Sequence, residues 1–302
     1  MRLTSFVRNG VPSYGCIVDD EIVDLGRHFG VRAPDLKALI ASGLLREAEV
    51  YAGAAEERLQ LADLQLLPVI PNPGRIVCVG LNYHDHVAET GRLVTAHPTL
   101  FLRTPESQAA HGEELLLPAE SSQLDYEGEI AIVVGKPGRR IELERAMEHV
   151  AGYACYNDGS VRDWQAAATQ WTAGKNFPRT GAFGPWLVTS EEVPVGAGLT
   201  LITRLNGIEV QKSCTSLMIH SIPALLSHVS TFTTLEPGDV IVTGTPGGVG
   251  FKRVPPVFLK PGDVVEVEVE GVGTLRNGVA REATSSPEIL GVRAGEPGGR
   301  FE

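Results

Sequence analysis

Three carboxylates in two short segments are the first residues in this chain whose types and spacing could do chemistry together. Within "LDYEGEIAIVVG", residues 124 to 135, Glu127 and Glu129 lie two apart. On a strand they share a face with Asp125, while Tyr126, Ile130 and Ile132 point the other way. Asp158 follows in "YNDGSVRDWQ", at a turn entering a helix near Ser160. Unpaired carboxylates are costly to crowd or bury. A hard divalent cation, Mg²⁺ or Mn²⁺ before Ca²⁺, would take three of their oxygens, with waters or substrate completing an octahedron. The bland alternative is a solvent-facing acidic strand edge, with Asp158 capping the helix after it.

Other segments carry polar and ionisable groups beside apolar runs. If "YHDHVAE" is helical, His86 and Glu89 stand at i and i+3, and the carboxylate can orient the imidazole as a general base. A routine polar pair on a surface helix reads the same way, and His84 with His86 would be a metal pair only on a strand. Arg162 and Gln165 are also i and i+3, and Lys175 follows a glycine in "GKNF". These three suit a substrate carboxylate and a developing oxyanion, or else ordinary helix-surface charge. "TGTPGGVG", 243 to 250, lacks the lysine of a phosphate loop and reads as a tight loop whose backbone and Thr245 line a pocket.

The elements that must position these groups are strand-rich. The first residues form short strands, then "PDLKALIASGLL" and "EVYAGAAEERLQLA" show helical apolar spacing, which predicts a small N-terminal α+β unit over 1–72. Pro68, Pro71 and Pro73 mark the boundary. A larger, predominantly β body follows over 73–283, with helices expected near 142–150, 160–173 and 219–232. Residues 284–302 read as a tail packing weakly or across a partner subunit. With 302 residues, 43% hydrophobic and 21% charged, the composition is that of a soluble globular protein. A net charge of -11 argues against nucleic acid or an anionic membrane as the main partner. The opening residues lack a signal-peptide core, so a cytoplasmic location is expected. Cys16, Cys78, Cys155 and Cys214 are widely spaced, which favours reduced thiols.

Taken in order, "CVGLNYHDHVAE", "LDYEGEIAIVVG", "AGYACYNDGSVRDWQ", "GKNF", "RLNGIEVQ", "PGDVIVTGTPGGVG" and "GDVVEVEVEGVGTLRN" resemble the fumarylacetoacetate hydrolase superfamily over roughly residues 70 to 280. The resemblance implies a mainly β, α+β fold: a β-sandwich roll catalytic domain, usually a homodimer, holding Mg²⁺ or Mn²⁺ on Glu127, Glu129 and Asp158. It also implies that His86 and Glu89 belong to a short helix or lid, and that Tyr83, Arg162, Gln165, Lys175 and Thr245 belong to the substrate site. The chain departs from the commoner family pattern in "KNFPRTGAFGP", with Pro178 for Asp and Ala182 for Pro, and in "FLRTPES", where Arg103 stands for lysine. Arginine's planar fork suits either a distal substrate carboxylate or a structural role.

The mechanism this implies is metal-assisted chemistry on a 2-oxo acid. Water activated by His86 and Glu89 would attack C4 of a 2,4-dioxo acid, of the acylpyruvate or fumarylpyruvate kind, with Lys175 holding the oxyanion. An oxaloacetate-type decarboxylase or a hydroxymuconate-type isomerase would use the same site, and an idle binding protein would keep the carboxylates for a structural cation.

Overall fold

The computed structural model describes residues 1–193 and 198–283, so the expectation for a tail over 284–302 lies outside the described residues. The apolar run that follows Glu129 becomes the strand Gly128–Val134, buried at every residue. It pairs antiparallel with Val150–Asn157 on one side and Val240–Val242 on the other. From there a mixed twelve-stranded sheet extends in both directions. One way it runs through Gly181–Thr189 to Arg2–Arg8 and Val11–Val18, the other through Ile76–Gly80 to Thr99–Arg103.

Both faces of this sheet are covered, which is why its central strand reads as a continuous apolar run and not as an alternation. Ile130, Ile132 and Val134 pack against Leu201, Val265, Val267 and Leu275 of a five-stranded sheet built from Thr200–Leu205, Ile208–Cys214, Val264–Val269, Gly273–Arg281 and Leu115–Leu117. On the opposite face, Ala131 and Val133 belong to one buried core with Phe29, Leu36, Leu39 and Ile40 from the N-terminal helices. The strand-rich sandwich anticipated from the sequence is present.

The separation of residues 1–72 needs correction. Arg2–Arg8 pairs directly with Gly181–Thr189, and the first helices share one core with the central strands. The boundary near Pro73 is therefore a turn in the chain and not a break in the sheet or the core.

Two helical expectations also change. "EVYAGAAEERLQLA" stops being helical at Ala54. Leu59–Gln60 then pairs with Glu21 and Ile22, and Glu57 is drawn into ion pairs with Arg8 and Arg27. The helix expected over 160–173 is two short helices, Arg162–Ala166 and Thr172–Lys175, after a strand pair formed by Ser160–Val161 with Leu124–Asp125. Ile222–Phe232 is helical, and the 142–150 stretch is a 3₁₀ helix over Leu143–His149. Cys16, Cys78 and Cys155 are buried free thiols and Cys214 is half-buried and free. Among the described residues no helix is long and apolar enough to cross a membrane.

Candidate active site

The acidic stretch is broken between Asp125 and Gly128, so its three carboxylates do not form one row. Asp125 sits in the short ladder with Ser160 and accepts from Arg162 Nε at 2.9 Å and from the backbone of Gly250 and Phe251 at 2.9 and 3.0 Å. Glu127 lies at the break. Its backbone N–H donates to Asn157 Oδ1 at 2.9 Å, and its carbonyl accepts from Asp158 N at 2.8 Å. Those two bonds tie the segments carrying Glu127 and Asp158 together, and Glu129 follows on the central strand. One oxygen from each of Glu127, Glu129 and Asp158 lies within 4.8 Å of the others, and all three residues are buried.

Cations surround part of the cluster. Lys175 Nζ donates to Glu127 Oε2 at 2.6 Å, to Asp158 Oδ2 at 2.5 Å and to the Asp158 carbonyl at 3.3 Å, which occupies all three of its N–H bonds. Its ammonium also lies 4.8 Å from the centre of the Phe101 ring. Arg162 Nη2 bridges Asp125 and Glu127 at 2.8 and 2.7 Å, and Arg103 Nη1 meets Asp158 Oδ1 at 2.7 Å. Burial opposes ionisation of Glu127, but Arg162 and Lys175 outweigh it and hold that carboxyl far below the ordinary range. Glu129 is the reverse case. Burial, then the charges of Asp158 and Glu127, push it well above the carboxylate range, and its recorded partner is the backbone N–H of Gly244.

Four buried carboxylates thus face three cations, and among the described residues no ion pair reaches Glu129. A buried carboxylate without a cationic partner, converging with two others, is a donor set suited to an oxygen-preferring divalent ion. Glu127, Glu129 and Asp158 fit that ion by chemistry and by distance.

The pair His86 and Glu89 forms as the spacing predicts, on the helix His84–Thr90, with Nδ1 to Oε1 at 2.7 Å. Glu89 Oε2 also accepts from Gly248 N at 2.9 Å, so the glycine-rich loop holds the pair in place. A carboxylate only accepts, so the proton is assigned to Nδ1 and the Nε2 lone pair is left available. His86, Glu127, Glu129, Asp158, Arg162, Gln165, Lys175 and Thr245 all line one cavity of about 1410 Å³. Arg162 Nη1 donates to Gln165 Oε1 at 2.9 Å, the contact expected of an i, i+3 pair. Thr245 donates to the Gly128 carbonyl at 3.0 Å and forms wall.

The structure places two of the residues expected at the substrate, Arg103 and Tyr83, outside the cavity lining, and for Arg103 this favours the structural alternative. Arg103 is 3% exposed and does not line the cavity, because its guanidinium is spent on Asp158, Gly159, Ser107 and Thr180. Tyr83 is 1% exposed and also lies outside the lining, its backbone bridged to Met218 where the helix begins. Sequence reasoning passed over Gln211, whose Oε1 accepts from Gly128 N at 2.9 Å and whose Nε2 donates to Thr245 at 2.8 Å. It stands 83 residues from Gly128, at the end of the quoted segment "RLNGIEVQ", where a single glutamine on a strand does not disclose its partners. Asn157 was also missed, although it sits beside Asp158 in a segment already singled out.

The family described as "Fumarylacetoacetate (FAA) hydrolase C-terminal" matches residues 75–280. This chain belongs to the fumarylacetoacetate hydrolase family. It is 38% identical over 287 residues to "Oxaloacetate tautomerase fahd2, mitochondrial" of Xenopus laevis, covering 92% of this chain and 90% of that one. It is 42% identical over 221 residues to "Oxaloacetate tautomerase YisK" of Bacillus subtilis (strain 168), covering 72% and 73%. Among solved members of the family, the maleylpyruvate hydrolase of Sphingobium sp. SYK-6, in complex with manganese(II) ion and pyruvate, superposes with a TM-score of 0.79 at 29% identity, covering 94% of this chain and all of that one. The family is one of enzymes that includes hydrolases, isomerases and tautomerases, so membership makes the chain an enzyme without choosing among those reactions.

Proposed function

We propose that this enzyme interconverts the keto and enol forms of a 2-oxo acid of the oxaloacetate class. The observation that carries the reading is the His86–Glu89 pair at the cavity wall, one imidazole oriented by a carboxylate to take a proton and return it. His86 is the one histidine lining the cavity among the described residues, and Lys175 has each N–H directed to a carboxylate or carbonyl. Moving one proton between C3 and the C2 oxygen needs one such carrier. Carbon–carbon hydrolysis asks more: a water to be activated, an oxyanion to be held and a carbon to be protonated. Similarity to two oxaloacetate tautomerases supports the same choice over the hydrolase anticipated from the sequence.

A divalent cation on Glu127, Glu129 and Asp158 would supply Lewis-acid charge that makes the C3 proton easier to remove. Arg162 and Gln165 bind the substrate carboxylate at the cavity wall. Nε2 of His86, held toward the cavity by the Glu89 contact at Nδ1, takes the proton and returns it. Lys175 keeps Glu127 ionised and fixed in place, a counter-charge and not an oxyanion donor.

Carbon–carbon hydrolysis of a larger 2,4-dioxo acid is the second reading. A cavity of about 1410 Å³ exceeds what a four-carbon acid fills, and the likeness to maleylpyruvate hydrolase points the same way. The test is decay of the ultraviolet enol absorbance of oxaloacetate with Mg²⁺, Mn²⁺ or EDTA, alongside pyruvate release from oxaloacetate and from a panel of 2,4-dioxo acids. Metal-dependent ketonisation without pyruvate supports the tautomerase. Pyruvate from a dioxo acid, with no acceleration of ketonisation, moves the assignment to hydrolysis, and pyruvate from oxaloacetate moves it to decarboxylation.

A further inference from the structure

We infer that Arg103 is a positioning residue that presents Asp158 to the divalent cation, and that Gly181 and Thr180 form its seat. The inference rests on the reading of Glu127, Glu129 and Asp158 as the metal-holding set. The Arg103 side chain is fully buried and lies behind the cavity wall, so it touches neither substrate nor cavity. Each arm of its fork has a fixed partner. Nη1 donates to Asp158 Oδ1 at 2.7 Å and to the Gly159 carbonyl at 3.0 Å, which holds both the side chain and the backbone of the Asp158 turn. Nη2 donates to Thr180 Oγ1 at 2.9 Å and Nε to Ser107 Oγ at 3.1 Å. With Oδ1 held from behind, Oδ2 is the oxygen turned to Lys175.

The seat is shaped for a guanidinium. A Cβ on Gly181 would stand 2.6 to 2.9 Å from Arg103 Nη2, Cζ and Nε, so only glycine leaves the plane of the fork its place. The carboxylate set is crowded with negative charge, and free rotation of Asp158 would let it turn from the other two and relieve that repulsion. A planar guanidinium pinned at Nε and Nη2 by Ser107 and Thr180 aims its Nη1 at Oδ1 and opposes the turn, which a lysine ammonium on a flexible stem cannot do as well. The consequence is an affinity for the ion that depends on a residue touching neither ion nor substrate.

Arg103→Lys keeps the charge and loses the fork, while Gly181→Ala keeps every charge and displaces the fork. Mn²⁺ binding to each purified variant, read by titration calorimetry and by the paramagnetic resonance signal of free Mn²⁺, needs no turnover. The expected result is a Kd for Mn²⁺ raised at least tenfold in both variants, with cooperative thermal unfolding retained and kcat largely recovered at saturating Mn²⁺. Thr180→Val, which removes one partner of the seat and leaves the charges alone, gives a smaller shift in the same direction. A Kd within twofold of the parent protein in Arg103→Lys and Gly181→Ala overturns the positioning role and leaves the carboxylate set standing. A parent protein that binds no Mn²⁺ overturns both. If Arg103→Lys does not fold, Gly181→Ala and Thr180→Val decide the question by the same criterion.

Discussion

At the scale of single residues, the site separates groups that act from groups that hold. In the proposed reaction His86 carries the proton, and Glu89 accepts from its Nδ1 while being held itself by Gly248. His86→Ala is expected to lower turnover by about 10²- to 10⁴-fold, the usual worth of a positioned acid–base group, while Mn²⁺ binding survives. Unchanged ketonisation of oxaloacetate by that variant would remove His86 from the mechanism. Glu129 is a buried carboxylate whose recorded partner is a backbone N–H, so it gains most from a cation. Mn²⁺ at about a hundred times its Kd should stabilise the fold by about 2.7 kcal/mol, read as a rise in Tm that EDTA reverses. Glu129→Gln should lose most of that rise, and a variant stabilised as much as the parent would take Glu129 out of the ligand set.

At the scale of elements, two short helices carry one wall of the cavity, and their separation is set by a glycine. Thr172–Lys175 packs so closely on Arg162–Ala166 that a Cβ on Gly174 would stand 2.4 Å from the Gln165 backbone nitrogen and 2.5 Å from its Cα. Backbone atoms cannot swing away as a side chain does, so the helix bearing Lys175 must move instead. Gly174→Ala is expected to cost about 1–3 kcal/mol of stability, the range for overpacking, and to raise KM as Lys175 leaves Glu127 and Asp158. Denaturant midpoints and steady-state kinetics on the same preparation check it, and wild-type values of both would show that the two helices have slack.

At the scale of the whole molecule, histidines outside the cavity lining set a lower pH limit on the fold. Burial, then Arg276, lowers the pKa of His111, whose Nδ1 accepts from the Arg276 backbone at 3.1 Å. Burial lowers His220 as well, helped by the charges of His228 and His97, and lowers His228, helped by that of His97. In the unfolded chain these imidazoles take up protons near the ordinary value of 6.5, and in the folded chain only at lower pH. Between those values the unfolded state binds more protons, so stability falls as pH drops below about 6.5. Urea midpoints measured from pH 7.5 down to 5.5 should decline, and His111→Asn, which keeps an acceptor for Arg276, should flatten the decline. An equal slope in the variant would place the sensitivity elsewhere.

Much of the site was legible in the sequence because its pieces are local. Glu127 and Glu129 stand two apart beside an apolar run, His86 and Glu89 three apart on a helix, and Arg162 and Gln165 three apart on another. Spacing of that kind survives any tertiary arrangement, since the periods of strand and helix are properties of the backbone. The strand-rich body was equally legible from its alternating and continuous apolar runs. Tertiary structure alone decided which groups face the cavity. Arg103 ends a strand and Lys175 ends a short helix, both basic and both buried, yet one is spent behind Asp158 and the other lies between carboxylates and Phe101. Whether residues 1–72 stand apart was likewise undecidable from a proline-rich turn, because pairing of Arg2 with Val188 and of Leu3 with Leu187 joins residues more than 180 positions apart. Long-range pairing and burial depend on where distant segments meet, and no local pattern encodes that meeting.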